Sequence, residues 1–242
     1  MTYVQGFMIP VTEPNKAAYK KMAEETAPIF IDHGALRIVE NWDNQVPKGA
    51  TTDMYLAVRA EKDERVVFSW IEWESENACN DAHEKIMADE RMQNPPEEMP
   101  FDGMRMVYAG FNILGESGDG GSLGYVQGYV APVAKEQRQP FSDMCAKMRE
   151  IAIDSGALHA VDSLSYDIED GKVTDFKRAV DAEADEGVAF GFVEWASKEA
   201  HETGSAKMRE DKRMTSLGGD LPVDGKRMIF GGFEVMLDTG HH

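Results

Sequence analysis

The hydrophobic and polar positions follow the same order of elements twice along the chain. The stretch Tyr3–Val11 is short and apolar and carries a proline near its end, which predicts a strand. In the second half, apolar residues recur at helical spacing from Phe141 to Ala152, and Gly156 is the expected helix stop. The full order is strand, helix, strand, strand, helix, strand. This order predicts a βαββαβ unit in each half.

The other elements are predicted from the first half in the same way. Pro28 is expected to kink the first helix, because proline cannot donate a backbone hydrogen bond. The pattern predicts a second strand at Leu36–Asn41, a strand pair at Asp53–Ala60 and Val66–Trp73 about a charged turn, a second helix at Glu76–Ala88 and a last strand at Met104–Leu114.

An internal repeat explains why the pattern occurs twice. The segment YVQGFMIPV at Tyr3–Val11 returns as YVQGYVAPV at Tyr125–Val133, an offset of 122 residues. Without any gap, 40 of 109 positions are identical between residues 3–111 and residues 125–233. Such similarity indicates a duplicated domain. We expect repeat 1 at residues 1–114, a glycine-rich linker at 115–124 and repeat 2 at 125–238.

Each repeat has a second apolar sheet face that needs a partner. Helices cover one face of a ferredoxin-like sheet, yet Val66, Phe68 and Trp70 alternate with the apolar Val67 and Ile71. An exposed apolar face of this size is unfavourable in water. The predicted fold is therefore α+β, with two ferredoxin-like repeats packed sheet to sheet as an intramolecular dimeric α/β barrel.

The charge of the chain limits the classes of partner that we expect. Its 44 acidic and 25 basic side chains give a net charge of −19, which disfavours nucleic acid and anionic membranes. No apolar run reaches the ~18–20 residues of a membrane helix. The first basic residue is Lys16, so no secretory signal is expected. With two cysteines and no disulfide framework, a cytoplasmic location is predicted.

Two related segments near the repeat ends resemble a known family. MPFDGMRMVYAGF at Met99–Phe111 and LPVDGKRMIFGGF at Leu221–Phe233, together with HGAL and VVFSWIEW, are similar to the YbaA-like family. The resemblance implies the dimeric α/β-barrel superfamily, with sheets paired between two chains in the family and within one chain here. The family has no assigned activity, so the resemblance implies no catalytic residue.

Polar residues that recur on strands are the candidate site residues. Glu72 and Glu194 end equivalent apolar strands and are the candidate catalytic groups. Successive side chains of a strand point to opposite faces of the sheet. If Val4 faces the helices, Gln5 and the equivalent Gln127 therefore face the inter-sheet space, beside the two glutamates. A carboxylate buried there has a raised pKa unless it is paired. The alternative is that both glutamates end their strands in solvent.

Three further residues complete the candidate ligand site. Arg105 and Arg227 are proposed partners of the buried carboxylates, and Trp70 is a candidate ligand contact. No metal site is predicted, because neither the histidines nor the cysteines have ligand spacing. No cofactor is predicted. His83 could be a haem ligand by superfamily resemblance, although an exposed helix histidine is the favoured interpretation.

The functional prediction is broad. The leading hypothesis is a protein that holds a small apolar or aromatic molecule between its two sheets. By analogy with the superfamily, the alternative is a cofactor-independent enzyme of oxygenase or isomerase type. The competing class is a non-catalytic binding or stress-associated protein whose own aromatic residues fill the inter-sheet space. Further self-association of the pseudo-dimer is left open.

Overall fold

Strands from both repeats close into a single barrel. The computed structural model describes residues 2–49, 51–93, 98–216 and 221–240. Eight strands occur in these ranges: β1 (Tyr3–Thr12), β2 (Arg37–Gln45), β3 (Glu64–Trp73), β4 (Val107–Ser117), β5 (Tyr125–Ala134), β6 (His159–Ser165), β7 (Glu186–Trp195) and β8 (Ile229–Asp238). Around the barrel they follow the order β1-β3-β2-β8-β5-β7-β6-β4.

The two sheets are joined by hydrogen-bonded seams at both edges. Within each repeat the antiparallel order is that of a ferredoxin-like sheet, with β1 between β3 and β4 in repeat 1. Across the seams β2 pairs with β8, and β4 pairs with β6. The predicted α+β fold and the intramolecular pairing of the repeats are confirmed. Closure also removes the free strand edges that each sheet would otherwise expose.

The helices in the described ranges are α1 (Lys16–Asp32), α2 (Met54–Ala57), α3 (Glu76–Ala88), α4 (Arg138–Asp154), α5 (Phe176–Ala179), α6 (Lys198–Glu210) and α7 (Lys212–Ser216). The long helices pack on the outer side of the barrel, whereas the short α2 and α5 contribute Met54, Ala57, Phe176 and Ala179 to the interior cluster. The α3 and α6 helices begin alike, since Ser75 and Ser197 accept the backbone N–H of Ala78 and Ala200 at 3.2 Å. Across the described ranges, no helix combines the length and apolar character needed to cross a bilayer.

One predicted strand of the first repeat is wrong. The segment expected to be a strand at Asp53–Ala60 contains α2, because the Asp53 side chain accepts the Leu56 N–H at 2.8 Å and caps a helix. Strand β3 pairs with β1 and β2 on its two sides and has no place for that segment. Helix α1 contains Pro28 and continues beyond it to Asp32, and the kink at Pro28 stays a prediction.

The first repeat also extends further than predicted. Residues 115–117 were expected to be linker, yet they belong to β4. Glu116 and Ser117 pair with Val161 and Ala160 of β6. The seam explains the difference, because strand pairing with the other repeat holds this glycine-containing stretch extended.

Stacked aromatic side chains fill the barrel interior. The rings of Phe68 and Phe190 stack with centroids 4.7 Å apart, and those of Trp70 and Phe192 with centroids 3.8 Å apart. All four side chains are fully buried. At Gly6, a Cβ atom would lie 2.7 Å from the Phe190 ring, so glycine allows this ring to rest on the β1 backbone.

The faces of the strands are partly as predicted. Val66, Phe68 and Trp70 of β3 face the interior, as expected. The assignment for β1 was wrong, since Val4 packs in the interior and Tyr3 packs against the helices. The register explains it: Gly6 lies opposite Trp70 and Met8 opposite Phe68, and opposed residues share a face.

Candidate functional site

An apolar cavity lies between the sheet and the helices of repeat 2. Outward-facing residues of β5, β6 and β7 form its floor, and α4 and α6 form its walls. Its volume is about 340 Å³. The lining comprises Gln127, Tyr129, Ala131, Phe141, Met144, Cys145, Met148, Arg149, Ala152, Ala160, Asp162, Val193, Met208, Val223, Met228 and Phe230. Phe230 is 47% exposed and marks the mouth of the cavity.

A cluster of polar side chains lies within this apolar lining. Arg149 of α4 forms an ion pair with Asp162 of β6, and both side chains are about nine-tenths buried. The Tyr129 hydroxyl donates to the same carboxylate at 2.5 Å. Burial, together with the nearby Asp162 charge, raises the pKa of Tyr129 well above its usual value. Cys145 lies 3.9 Å from the Tyr129 hydroxyl, and burial raises the pKa of its thiol.

Repeat 1 differs at the positions equivalent to this cavity. Phe30 and Ile38 stand where repeat 2 has Ala152 and Ala160, and both pack into the core beneath the helices. These larger side chains take up space that the two alanines leave open.

The equivalent carboxylates have different partners as well. Glu40 stands at the position of Asp162 and accepts a hydrogen bond of 2.8 Å from the Tyr19 hydroxyl. In repeat 1, Ala27 stands at the position of Arg149, so the Arg149–Asp162 ion pair has no counterpart there. Burial raises the pKa of Glu40 to about 7.

A second polar cluster lies at one end of the barrel and contains Glu72 and Glu194. Arg37 donates to both carboxylate oxygens of Glu194, at 2.8 and 3.1 Å. The same guanidinium donates to Asp238 at 2.8 and 2.9 Å and lies 3.6 Å from Glu72. One cation of repeat 1 therefore holds two carboxylates of repeat 2.

His159 occupies the position in repeat 2 that Arg37 occupies in repeat 1. Its Nδ1 lies 3.5 Å from Glu194, and its Nε2 lies 3.6 Å from Glu116. Burial lowers the pKa of His159, but Glu194, Glu72 and Glu116 outweigh burial and raise it overall.

The pKa values of the two glutamates in this barrel-end cluster are shifted in opposite directions. Burial raises the pKa of Glu72, although Trp70 donates to it at 3.0 Å. Burial acts on Glu194 in the same direction, yet the hydrogen bonds from His159 and Arg37 outweigh it, so the pKa of Glu194 is lowered.

The predicted placement of Glu72 and Glu194 is right, while their predicted partners are wrong. Both side chains face the inter-sheet space, and Glu194 is 0% exposed, so neither glutamate ends its strand in solvent. Arg105 and Arg227 lie at the opposite ends of β3 and β7, where they bind Glu64 and Glu186 at 2.6 Å. The barrel-end cluster is closed by its own ion pairs.

The remaining predicted ligand residues are dispersed. Gln5 and Gln127 face the helices instead of the inter-sheet space, as the register of β1 and β5 requires. Gln127 lines the repeat 2 cavity, whereas the Gln5 amide oxygen lies 4.0 Å from the Cys79 sulfur. Trp70 packs ring to ring on Phe192 and has no exposed surface.

Within the described ranges, no three histidine, cysteine or acidic side chains are grouped so as to hold a metal ion. His83, the residue considered as a haem ligand, is exposed on α3.

Four polar side chains of these two clusters were not among the residues predicted from the sequence. Arg37 and His159 directly follow the repeated Gly-Ala-Leu motif, so two bases at equivalent positions were a visible signal. Glu40 and Asp162 are acids at equivalent positions, each directly after two apolar strand residues, which was a visible signal for a buried carboxylate.

These features define a class: a tandemly duplicated α/β barrel of ferredoxin-like repeats, with an apolar cavity under the helices of one repeat. A family model described as "Protein of unknown function (DUF1428)" matches residues 2–103 and again residues 124–225. The chain belongs to this family, and the match confirms the tandem duplication.

Relatives support both the family and the fold. "Uncharacterized protein YbaA" of Escherichia coli (strain K12) is 51% identical over 114 residues, which is 47% of this chain and 97% of that protein. One repeat thus corresponds to nearly the whole relative, and the resemblance to the YbaA-like family is confirmed.

Solved structures with low sequence identity share the fold over nearly the whole chain. A proposed monooxygenase of Fusobacterium nucleatum has a TM-score of 0.60 at 10% identity, with 98% of this chain and 93% of that chain covered. A proposed monooxygenase of Lactobacillus acidophilus has a TM-score of 0.59 at 11% identity, with 98% and 96% covered. An anthrone oxidase-like protein has a TM-score of 0.55 at 12% identity, with 98% and 92% covered.

Proposed function

We propose that this protein binds a small apolar, aromatic molecule in the cavity under the helices of repeat 2. The observation that carries the proposal is a volume of about 340 Å³ whose walls are almost entirely apolar, with a few polar groups brought together at one side. This combination is typical of small-molecule sites in proteins. The rings of Phe141, Tyr129 and Phe230 favour a planar aromatic ligand, which stacks on such walls.

The ligand site proposed here differs from the one expected between the sheets. The stacked rings of Phe68, Phe190, Trp70 and Phe192 occupy the barrel interior and favour a packed core there. A ligand placed between the sheets would have to displace these buried aromatic side chains, which would cost several kcal/mol. The outer cavity needs no such displacement.

Methionine side chains suit the cavity to more than one ligand shape. Met144, Met148, Met208 and Met228 line it together with the rings. Methionine is unbranched and polarisable, so it adapts to irregular apolar surfaces. We therefore expect moderate shape selectivity, with orientation set by the Arg149–Asp162 pair.

Filling the cavity with the side chain that repeat 1 carries tests this proposal. The variant Ala152→Phe places at this position the residue that stands at the equivalent Phe30. With isopropylnaphthalene as an apolar two-ring probe, calorimetric titration should show binding to the wild type and at least tenfold weaker binding to the variant. The matched control Phe30→Ala, in repeat 1, should leave the affinity unchanged. Equal affinity of the wild type and Ala152→Phe, or no binding by the wild type, would overturn the proposal.

A second candidate function is cofactor-independent oxidation of the bound molecule. It is supported by the Asp162 carboxylate, which faces the cavity and could remove a proton from a carbon acid. Three proteins with this fold are described as proposed monooxygenases or as anthrone oxidase-like. In anthrone oxidation the ring CH₂ group and O₂ give a carbonyl and water: one oxygen atom forms the carbonyl, and the other leaves with both hydrogens.

Anthrone itself is the probe for this second candidate. Oxygen consumption in the presence of anthrone should exceed the spontaneous rate for the wild type and fall to that rate for Asp162→Asn. Glu40→Gln changes the equivalent carboxylate of repeat 1 and should keep the wild-type rate. If the wild type and Asp162→Asn oxidise anthrone at the same rate, the candidate is excluded and ligand binding alone remains.

A further inference from the structure

A second cavity adjoins the first on the outer side of β8. Its volume is about 430 Å³, and Gln127 and Phe230 line both cavities. The first cavity is apolar, whereas the second is bounded by polar groups of both repeats: Asp43, Asn44, Gln45, Tyr55, Arg65 and His201. A molecule that passes Gln127 therefore moves from apolar walls to polar ones.

The side-chain amide of Gln127 lies at this junction and is free to hydrogen-bond to a ligand. Among the described residues it has no hydrogen-bond partner, although a carboxamide can donate two hydrogen bonds and accept two. In repeat 1, the equivalent Gln5 has its amide oxygen 4.0 Å from the Cys79 sulfur. Gln5 and Cys79 line a cavity of about 530 Å³, so both glutamines line a cavity and differ in having Cys79 or His201 beside them.

His201 takes the place of Cys79 in repeat 2 and adds a second open polar group. Its ring lies on Tyr125 and against Trp195, with centroids 5.0 and 5.6 Å away. Neither ring nitrogen has a hydrogen-bond partner in the described part of the chain. Both nitrogens are buried, so a ligand in the cavity that the ring lines can reach one of them only if the ring rotates.

We propose that the ligand is amphipathic, with an aromatic body in the repeat 2 cavity and a neutral head group that Gln127 and His201 bind. A carboxamide or hydroxyl both donates and accepts, so it matches the amide and a neutral imidazole. Burial lowers the pKa of His201, which keeps the ring neutral at pH 7.

A charged head group fits the surroundings less well. An anion would lie near Asp43, in a chain with a net charge of −19. The nearest fixed cation in this cavity, Arg65, is already 3.6 Å from Glu13. The inference rests on the proposed function, because the aromatic body needs the first cavity.

Two probes of similar size separate the head-group site from the apolar cavity. Naphthamide carries a carboxamide where isopropylnaphthalene carries an apolar group. In calorimetric titrations the wild type should bind naphthamide about tenfold more tightly than isopropylnaphthalene. Gln127 lines both cavities, so the ratio of the two affinities is the quantity to compare. Gln127→Leu should remove the preference for naphthamide, because it should weaken naphthamide binding more than isopropylnaphthalene binding. Gln5→Leu, the matched control in repeat 1, should change neither affinity.

The outcomes distinguish the two proposals. If both probes bind the wild type equally and Gln127→Leu alters neither affinity, the head-group site is refuted while the apolar cavity stands. If neither probe binds, or Ala152→Phe leaves both affinities intact, the proposed function fails first. A preference for naphthoate, the anionic analogue, over naphthamide would also refute the neutral head group.

Discussion

The two repeats share their backbone plan and differ most where side chains meet under the helices. At equivalent positions repeat 1 has Glu40 with the Tyr19 hydroxyl, and repeat 2 has Asp162 in an ion pair with Arg149. Repeat 1 closes the space with large apolar residues, while repeat 2 keeps a cavity of about 340 Å³.

The barrel-end cluster shows how one substitution breaks a pseudo-symmetric pair. Arg37 and His159 are equivalent, yet only the guanidinium is long and forked enough to bind a carboxylate through two hydrogen bonds. It binds Glu194, so Glu72 keeps a raised pKa while that of Glu194 is lowered. Identical residues in the two repeats therefore carry different electrostatic roles.

The largest expected effect comes from separating the repeats. A fragment of residues 1–117 exposes Phe68, Trp70 and Phe111, which are fully buried in the whole chain. We expect this fragment to dimerise or aggregate, because its open edges and apolar face need a partner. Light scattering after size-exclusion chromatography measures the outcome. A soluble, stable monomer of the fragment would contradict the interdependence of the repeats.

Neutralising the two barrel-end glutamates should give unequal losses. Glu194→Gln weakens the ion pair with Arg37 inside the barrel and should lower the free energy of unfolding by about 3 kcal/mol at pH 7. Glu72→Gln removes a carboxylate whose pKa is raised, so its stability should stay within about 1 kcal/mol of wild type or rise. Urea unfolding measures both, and equal losses would refute the asymmetry.

The equivalent carboxylates under the helices should respond to pH in different ways. The folded-state pKa of Glu40 is raised to about 7, so ionisation opposes folding increasingly as the pH rises from the unfolded value of ~4.3 toward 7. Glu40→Gln should therefore stabilise the protein by about 2 kcal/mol at pH 8 and have little effect at pH 4.5.

The matched change in repeat 2 has the opposite sign. Asp162→Asn leaves the Arg149 charge buried without its partner and should destabilise the protein at pH 8. Unfolding by urea at both pH values provides the comparison. Stabilisation by both substitutions would show that the two carboxylates are in equivalent environments after all.

The smallest effect concerns His159. Its folded-state pKa is raised, so protonated His159 stabilises the fold fully below the unfolded pKa of ~6.5. This contribution is lost as the pH rises through the folded-state pKa. His159→Gln should cost about 1 kcal/mol at pH 6 and nothing at pH 9, because Gln does not titrate. A difference that is independent of pH would contradict the ion pairs with Glu194 and Glu116.

The candidate site was only partly predictable, for reasons that particular residues make clear. Glu72 and Glu194 were recognisable because both follow an apolar strand at equivalent positions. Their partner was not, since Arg37 reaches Glu194 across 157 positions of the chain. The face of Gln127 was also misjudged, because both faces of β5 are apolar and alternation alone does not say which face is inside.

The sequence by itself determined the duplication, the order of strands and helices, and the need of each sheet for a partner, because these depend on local periodicity and on identity between the halves. Only the tertiary structure decided which face of each strand points inward, because both faces are apolar. In β1 the inward face is that of Gly6, on which the Phe190 ring of the other repeat rests. The tertiary structure alone also decided where empty space remains. A cavity is the small space that packed side chains leave unfilled, and in repeat 1 Phe30 and Ile38 occupy positions where repeat 2 has only Ala152 and Ala160.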